Sequence, residues 1–74
     1  MCLLHMKKNE MAIVDDINLD VELKRRLAAM GFMKESRICV KHYGWFKSTV
    51  QVMINRSLIA LRKEEAQQIQ VHTI

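Results

Sequence analysis

The sequence predicts a small, mostly β protein: a strongly bent barrel of about five short strands, with one α-helix after the first strand. Apolar residues recur at every second position in several short segments, which is the pattern of half-buried strands. A single segment changes to helical spacing. The chain has 74 residues, enough for one core, so we expect one domain over residues 1–74. A closed barrel is favoured because closure protects the strand edges.

The first strand is expected at residues 11–17, which are rich in Ile and Val and end at acidic residues. A helix follows, because Asp20 is a residue type that caps a first turn. Apolar residues then fall on one stripe of that helix, at Leu23, Leu27 and Met30. Gly31 is expected to end the helix in a left-handed conformation, with Phe32 folding back onto Leu27 as in a Schellman ending.

The second half of the chain alternates apolar and polar residues, so it is expected to form the remaining strands. These strands are predicted at residues 37–43, 49–54, 57–62 and around 69–71. Asn55 and Arg56 are expected to make a tight reversal, since Asn tolerates a positive φ. Residues 63–66 are expected to form a polar turn.

The charge of the chain is uneven. The net charge is +4, but residues 34–63 carry seven basic residues and one acidic residue, a net of +6. A basic region of this kind suits an acidic partner, such as nucleic acid, an anionic membrane face or an acidic protein surface. No apolar run is long enough to span a bilayer, and the first residues do not form a secretory signal. We therefore expect a cytoplasmic protein.

Enzyme chemistry has little support in the sequence. There is no Ser-His-Asp arrangement, no glycine-rich phosphate loop and no H-E-x-x-H motif. Asp15 and Asp16 are adjacent on a strand, so their side chains diverge. A chain of this size also has little room to enclose a substrate. We expect no catalytic residues.

Metal binding is conceivable at scattered His and Cys residues, and the weak candidates are Cys39, His42, His5 and His72. Cys39 and His42 lie three apart on a predicted strand, so they face opposite sides unless a bulge intervenes. Cys2 and His5 could meet in a helical turn, but terminal residues are expected to fray. We expect no tight metal site within one chain and no required cofactor.

Residues 41–47 are unusual because they hold three of the four aromatic residues of the chain. Tyr43, Trp45 and Phe46 lie between Lys41 and Lys47. Such a segment suits stacking on nucleic-acid bases or anchoring a protein partner. Trp45 and Phe46 are neighbours and cannot both enter a small core, so we expect at least one of them to mark a partner-binding surface.

A second candidate partner surface is the face of the helix that carries Arg25 and Arg26. These two residues lie on the side of the helix away from its apolar stripe, where solvent or a partner can reach them.

Several motifs together resemble one known family. Residues 27–32, LAAMGF, are similar to the L-x-x-M-G-[IFL] that ends the helix in the ferrous-iron transport protein A family (FeoA). Residues 59–66, IALRKEEA, are similar to that family's IALR-x-x-E-A. Ile13-Val14 with Ile17, and Ile38-Cys39-Val40, fall where the family has its strands. The match covers about residues 7–72.

The resemblance implies an SH3-like barrel and a cytosolic accessory role beside the membrane ferrous-iron permease FeoB, which carries a cytosolic G domain. Fe2+ would then be linked to this chain through the transport system. The family brings no catalytic residues. Lys8-Asn9 and Lys34-Glu35 replace the family's Pro-Gly pairs, and Asn55-Arg56 replaces a common Gly, which affects turn types. The same fold occurs in iron-dependent repressors, but no DNA-binding helix pair precedes it here.

Our hypothesis is a contact protein of ferrous-iron uptake, held at the inner face of the membrane through its partner. A small basic nucleic-acid-binding barrel and a weak transition-metal carrier are the alternatives. We expect no nucleic-acid partner, and salt dependence separates the first two hypotheses, since nucleic-acid binding weakens steeply with salt. Self-association and the direction of any effect on the permease stay open.

Overall fold

The computed structural model describes all 74 residues and consists of one five-stranded antiparallel sheet with two helices. The strands lie in the order β4-β3-β2-β1-β5. Their bounds are β1 Met11–Ile17, β2 Arg37–Tyr43, β3 Thr49–Ile54, β4 Ser57–Arg62 and β5 Ile69–Thr73, with α1 at Val21–Ala29 and α2 at Lys63–Ala66. The predicted mostly β class is confirmed. Neither helix has the length and hydropathy that crossing a membrane requires.

Strand β1 and the start of α1 follow the predicted pattern. Ala12, Val14 and Ile17 are buried. The buried positions are two residues apart up to Val14 and then three apart, and this change coincides with a register shift against β5 between Val14 and Asp16. The Asp20 carboxylate accepts a hydrogen bond of 2.8 Å from the Leu23 N–H. It thereby satisfies one of the free donors of the first helical turn.

The end of α1 is the predicted Schellman motif. Gly31 has a φ of 91°, and its N–H donates to the Ala28 carbonyl at 2.9 Å. The Phe32 N–H donates to the Leu27 carbonyl at 2.9 Å, and both side chains are buried. Met30 departs from the prediction, since it is 45% exposed. The helix ends at Ala29, so Met30 no longer follows the helical spacing.

Strands β2, β3 and β4 form a meander with the predicted bounds. Ile54 pairs with Ser57, so the reversal uses only Asn55 and Arg56, and Asn55 has a φ of 53°. The alternation prediction also holds, because Val50, Val52 and Ile54 point inward and are buried.

Residues 63–66 differ from the predicted polar turn, since they form the single turn of α2. The Glu65 carboxylate reaches back and accepts the Arg62 N–H at 2.8 Å. Ala66 on the opposite side is fully buried. A carboxylate that caps a first turn from its third position stabilises a helix start, which explains why the chain coils here.

The prediction that the N-terminal residues fray is wrong. Leu3, Leu4 and Met6 are buried, and residues Leu3–His5 form a 3₁₀ turn. Met1 exchanges two hydrogen bonds with the backbone of Val71, of 2.7 and 2.8 Å. The apolar side chains give this segment enough burial to hold it in place, and its backbone covers β5.

The two edges of the sheet differ. Strand β5 is covered by the N-terminal segment, where Cys2 bridges to Gln70. Strand β4 pairs with β3 only, and no backbone ladder joins β4 to β5. The core beneath the sheet is one cluster of 18 buried residues, all of them apolar. The barrel therefore has one uncovered strand edge, at β4.

Candidate functional site

The connection between β2 and β3, residues 44–48, projects two aromatic rings into solvent, and we call it the aromatic tip. Trp45 is 84% exposed and Phe46 is 92% exposed. Their ring centroids lie 6.3 Å apart, with the planes tilted by 55°. The expectation that both rings cannot enter the core is met, since neither ring does.

The backbone of the aromatic tip is tightly folded. The Lys47 N–H donates to the Gly44 carbonyl at 3.0 Å, and the Gly44 N–H donates to the Thr49 carbonyl at 2.9 Å. Phe46 and Lys47 have φ values of 51° and 57°, a left-handed conformation that is costly for residues with a side chain. Two such residues in succession turn the chain so that the rings point outward.

Gly44 is required by a close approach rather than by its own φ of −76°. A β-carbon at this position would overlap the hydroxyl oxygen of Thr49. A glycine therefore lets the two ends of the aromatic tip come together. This contact could not be predicted from the sequence, because it depends on how Thr49 is placed in the folded chain.

Lys47 and Tyr43 anchor the base of the aromatic tip to the N-terminal segment. Lys47 Nζ donates to the Leu4 carbonyl at 2.8 Å and lies 4.7 Å from the centroid of the Tyr43 ring. The Tyr43 hydroxyl donates to the Met6 carbonyl at 2.5 Å. These contacts join two segments that are about forty residues apart in sequence.

The Tyr43 hydroxyl is also electrostatically perturbed. Its burial raises the pKa of Tyr43 above the usual range, and the neighbouring Cys2 and Glu10 groups raise it further. The phenol thus stays protonated and keeps its role as a hydrogen-bond donor. Tyr43 is half-buried, and Lys41 is exposed on β2.

The second candidate surface divides into two. Arg25 and Arg26 are both exposed on α1, but they line different grooves. Arg25 lies with Ile17 and Phe32 on one side of the helix. Arg26 lies on the other side, in the groove between α1 and β4. The two arginines therefore do not form one surface.

The candidate metal ligands are spread over the molecule. The structure has a register shift between Val40 and His42, and this bulge places Cys39 and His42 on the same face of β2, contrary to the expectation from simple alternation. It nevertheless brings together no group of three or more His, Cys, Asp or Glu side chains that could hold an ion. His5 and His42 are exposed, and Cys39 is half-buried.

One side-chain pair was missed by the sequence reasoning. His72 Nδ1 lies 2.6 Å from Asp15 Oδ1, and this contact links β5 to β1. The register shift between these strands leaves Asp15 without a partner in the ladder, and its side chain is beside His72. A strict alternation of residues does not predict that placement.

Comparisons with known proteins agree with this architecture. A family model described as the FeoA domain matches residues 1–73. A Campylobacter jejuni protein that carries the name Fe(2+) transport protein A is 34% identical over 74 residues, which span the whole of both chains. The solution structure of the FeoA protein from Chlorobium tepidum superposes with a TM-score of 0.93 at 26% identity, over all of this chain and 70% of that one.

A more distant likeness concerns the fold alone. A manganese-dependent transcriptional repressor is 24% identical and has a TM-score of 0.85, over all of this chain and 41% of the repressor. The five-stranded architecture thus also occurs inside a larger protein. With a family model over nearly its whole length and a relative that matches end to end, this chain belongs to the FeoA family and has its SH3-like fold.

Proposed function

We propose that this chain is a cytoplasmic accessory protein of Fe2+ transport that acts by contact with a membrane ferrous-iron permease, FeoB, through the permease's cytosolic G domain. Membership of the FeoA family and the name of the Campylobacter relative support the link to Fe2+ transport. The observation that carries the mode of action is the exposure of Trp45 and Phe46 on one short connection. Exposed aromatic pairs on small domains mark contact sites.

The aromatic tip is suited to anchor a partner because its shape is set before binding. The hydrogen bonds around Gly44 and the contact of Lys47 with Leu4 fix the backbone. A preorganised loop loses little conformational entropy on association, so more of the energy of burying Trp45 and Phe46 remains as affinity. Truncation of such an anchor costs about 2 kcal/mol or more, roughly thirty-fold in affinity.

Charge would guide the encounter. Lys47 lies in the aromatic tip and Lys41 lies three residues before it, and residues 34–63 have a net charge of +6 from seven basic residues and one acidic residue. An acidic partner surface would be attracted to this region, which raises the association rate more than the affinity. Arg25 and Arg26 are secondary contact candidates on α1.

In this proposal the chain neither catalyses a reaction nor carries the metal, and Fe2+ passes through the permease. The exposed His5, His42 and His72, together with Cys39, would bind metal weakly at most. Only Cys39 and His42 share a strand, and no three potential ligands come together, which supports this view.

The proposal is tested by titrating Trp45→Ala and Phe46→Ala proteins against the cytosolic domain of the permease from the same host. Each variant is first checked for folding by circular dichroism. We expect each to lose roughly thirty-fold in affinity. Val21→Ala is the matched control, because Val21 is an apolar residue of α1 that is also 70% exposed. If both aromatic variants bind as the parent does, the aromatic tip is not the interface.

The same variants test the nucleic-acid alternative. Exposed aromatic rings beside lysines also suit base stacking, so a single-stranded oligonucleotide is titrated at low and moderate salt. Under the contact-protein proposal, no oligonucleotide binding depends on Trp45 or Phe46. Oligonucleotide binding that weakens steeply with salt and requires these residues would instead support a nucleic-acid-binding barrel.

A further inference from the structure

The outer edge of β4 presents backbone groups that have no partner. Ile54 and Ser57 flank a two-residue turn, so they form a hydrogen-bonded pair. Hydrogen-bonded pairs alternate along an antiparallel ladder, which assigns the next ones to Ile59 and Leu61. The N–H and C=O groups of Leu58 and Ala60 must therefore point away from β3. No other strand lies on that side, since β4 ends the sheet.

This edge contrasts with the opposite one. On β5, Met1 and Cys2 supply backbone partners to Val71 and Gln70. On β4, the Arg62 N–H is satisfied by the Glu65 carboxylate at 2.8 Å, whereas the outward groups of Leu58 and Ala60 make no such bond. An uncovered strand edge is a template for another extended chain, because each free N–H and C=O can pair with it.

A groove lies beside the uncovered edge and gives an added strand room. Its cavity volume is about 400 Å³, and β4 forms one wall while α1 forms the other. Leu23 and Met30 supply apolar surface on the helix side, and Met30 is the residue that left the helical stripe at the end of α1. On the strand side the groove is lined by residues 59–62, and the Leu58 side chain, which is 52% exposed, lies on β4 just beyond the groove. Apolar side chains of an incoming strand could pack against these residues.

The charged groups in the groove define the chemistry of its occupant. Arg26 and Arg62 bring positive charge from the two walls, and Glu65 is the only acidic lining residue. The Glu65 carboxylate already accepts the Arg62 N–H. An incoming segment with carboxylates would therefore meet two cations, whereas a basic segment would be repelled.

We propose that the β4 edge binds an extended segment of a partner protein in which apolar and acidic residues alternate, and that this segment adds to the sheet as a sixth strand beside α1. Backbone hydrogen bonds to Leu58 and Ala60 give affinity, and Arg26 and Arg62 select for acidic side chains. The surface is separate from the aromatic tip, so the inference does not depend on the proposed function.

A second copy of the chain fits this edge poorly. A register with Leu58 opposite Leu58 sets Ala60 against the turn residue Arg56, and one with Ala60 opposite Ala60 needs the Arg62 N–H, which Glu65 already holds. The remaining antiparallel self-pairing that uses both residues places Leu58 opposite Ala60 of the second copy. In that register Arg62 lies opposite the second copy's Arg56. Because the pairing is symmetric, Arg56 of the first copy also lies opposite the second copy's Arg62. Like charges directly opposite each other on neighbouring strands destabilise the pairing. Charge therefore favours an acidic segment over self-association.

The test uses a synthetic peptide of about seven residues with alternating valine and glutamate, the length that spans β4 in extended form. Binding is followed by the backbone amide signals of the labelled full-length protein in NMR. We expect the Leu58 and Ala60 amides to shift and to gain protection from hydrogen exchange. The same peptide with N-methyl groups on its pairing amides should bind at least ten-fold more weakly, with the protein left unchanged.

Two pairs of variants separate the backbone and charge contributions. Ala60→Pro removes the outward N–H and should weaken binding at least ten-fold, since an edge strand tolerates proline where its N–H faces solvent. Ala60→Val keeps the N–H and should bind as the parent does. Arg26→Glu should weaken binding about ten-fold, whereas Arg25→Glu, on the other side of α1, should not.

Several results would overturn the inference. Equal binding of the N-methylated peptide, or of a valine-lysine peptide, would exclude backbone pairing with selection by charge. Amide shifts confined to Trp45 and Phe46 would move the site to the aromatic tip. A concentration-dependent dimer that protects the Leu58 and Ala60 amides without peptide would assign the edge to a second copy. All of these measurements are made without the permease domain, so loss of the edge site leaves the permease proposal to its own titration.

Discussion

The ammonium group of Lys47 lies 2.8 Å from the carbonyl oxygen of Leu4. This contact joins the aromatic tip to a segment that is 43 residues earlier in the chain. Lys47 has a φ of 57°, so its backbone conformation is unfavourable and must be held by other interactions. The hydrogen bond to Leu4 and the contact with the Tyr43 ring supply them.

Replacement of Lys47 by methionine should loosen the aromatic tip. We expect a loss of about 1 kcal/mol in the free energy of unfolding, from the hydrogen bond to Leu4. Trp45 is the only tryptophan, so its fluorescence anisotropy reports the mobility of the tip and should fall. Lys41→Met is the control, since Lys41 is an exposed lysine on β2 outside this contact. Unchanged anisotropy in Lys47→Met would show that the tip is held by its backbone alone.

Gly31→Val should destabilise the protein by about 1 kcal/mol or more. The φ of 91° is unfavourable for a β-branched residue, and a β-carbon would lie 3.1 Å from Asn55 Nδ2. Urea denaturation measures the change. Gly31→Asn should cost less, because asparagine tolerates the left-handed region. Equal midpoints for the parent and Gly31→Val would contradict the capping role of Gly31.

Gly44→Ala should be destabilising in the parent but not in a Thr49→Ala background. The added methyl group overlaps the Thr49 hydroxyl, and overpacking of this kind costs about 1 kcal/mol. Removing the hydroxyl relieves the overlap, so the two substitutions should be strongly non-additive. A thermodynamic cycle of the four proteins, measured by thermal denaturation, gives the coupling. Additive effects would mean that the chain relaxes around the methyl group.

The elements that the sequence predicted correctly depend on local signals. The end of α1 follows from Gly31, Phe32 and Leu27, which lie within six residues of the chain and make their contacts without help from the rest of it. The strands follow from alternation, and the reversal at Asn55 follows from a residue that tolerates a positive φ. Such features are encoded over five or six residues, so they can be predicted without the tertiary structure.

The parts that escaped prediction depend on distant contacts. The order of the N-terminal segment requires Val71, which lies 70 residues away. The aromatic tip was located by composition, but its rigidity depends on Leu4, Met6 and Thr49, and none of these stands out in the sequence. The separation of Arg25 from Arg26 could not be predicted either, since it requires the position of β4 relative to α1.

Metal titration should give no tight site. The bulge in β2 places Cys39 and His42 on the same face, but no third ligand lies near them, so neither Fe2+ nor Zn2+ finds the coordination it needs. Anaerobic calorimetry of the monomer should therefore show only weak binding. His42→Ala should leave this weak binding nearly unchanged. A single stoichiometric site of submicromolar affinity that disappears in Cys39→Ser would assign a metal-binding role to this chain.

The stability of the protein should fall at alkaline pH because of Tyr43. Burial, together with Cys2 and Glu10, raises the pKa of this phenol above the value near 10 that it has in an unfolded chain. Below about pH 10 the phenol is protonated in both states, and its contribution to stability is intact. As the pH rises further, the unfolded chain loses the proton first, so stability declines until the folded protein also ionises.

Tyr43→Phe isolates this effect from the titration of lysines, which both proteins share. At neutral pH the variant should be less stable by about 1 kcal/mol, because the hydroxyl no longer donates to the Met6 carbonyl. Above about pH 10 the parent loses this advantage as its phenol ionises, and the two urea midpoints should converge. A gap that stays constant from neutral to strongly alkaline pH would mean that the Tyr43 hydroxyl has the same pKa in the folded and unfolded chain, contrary to the burial that raises it in the structure.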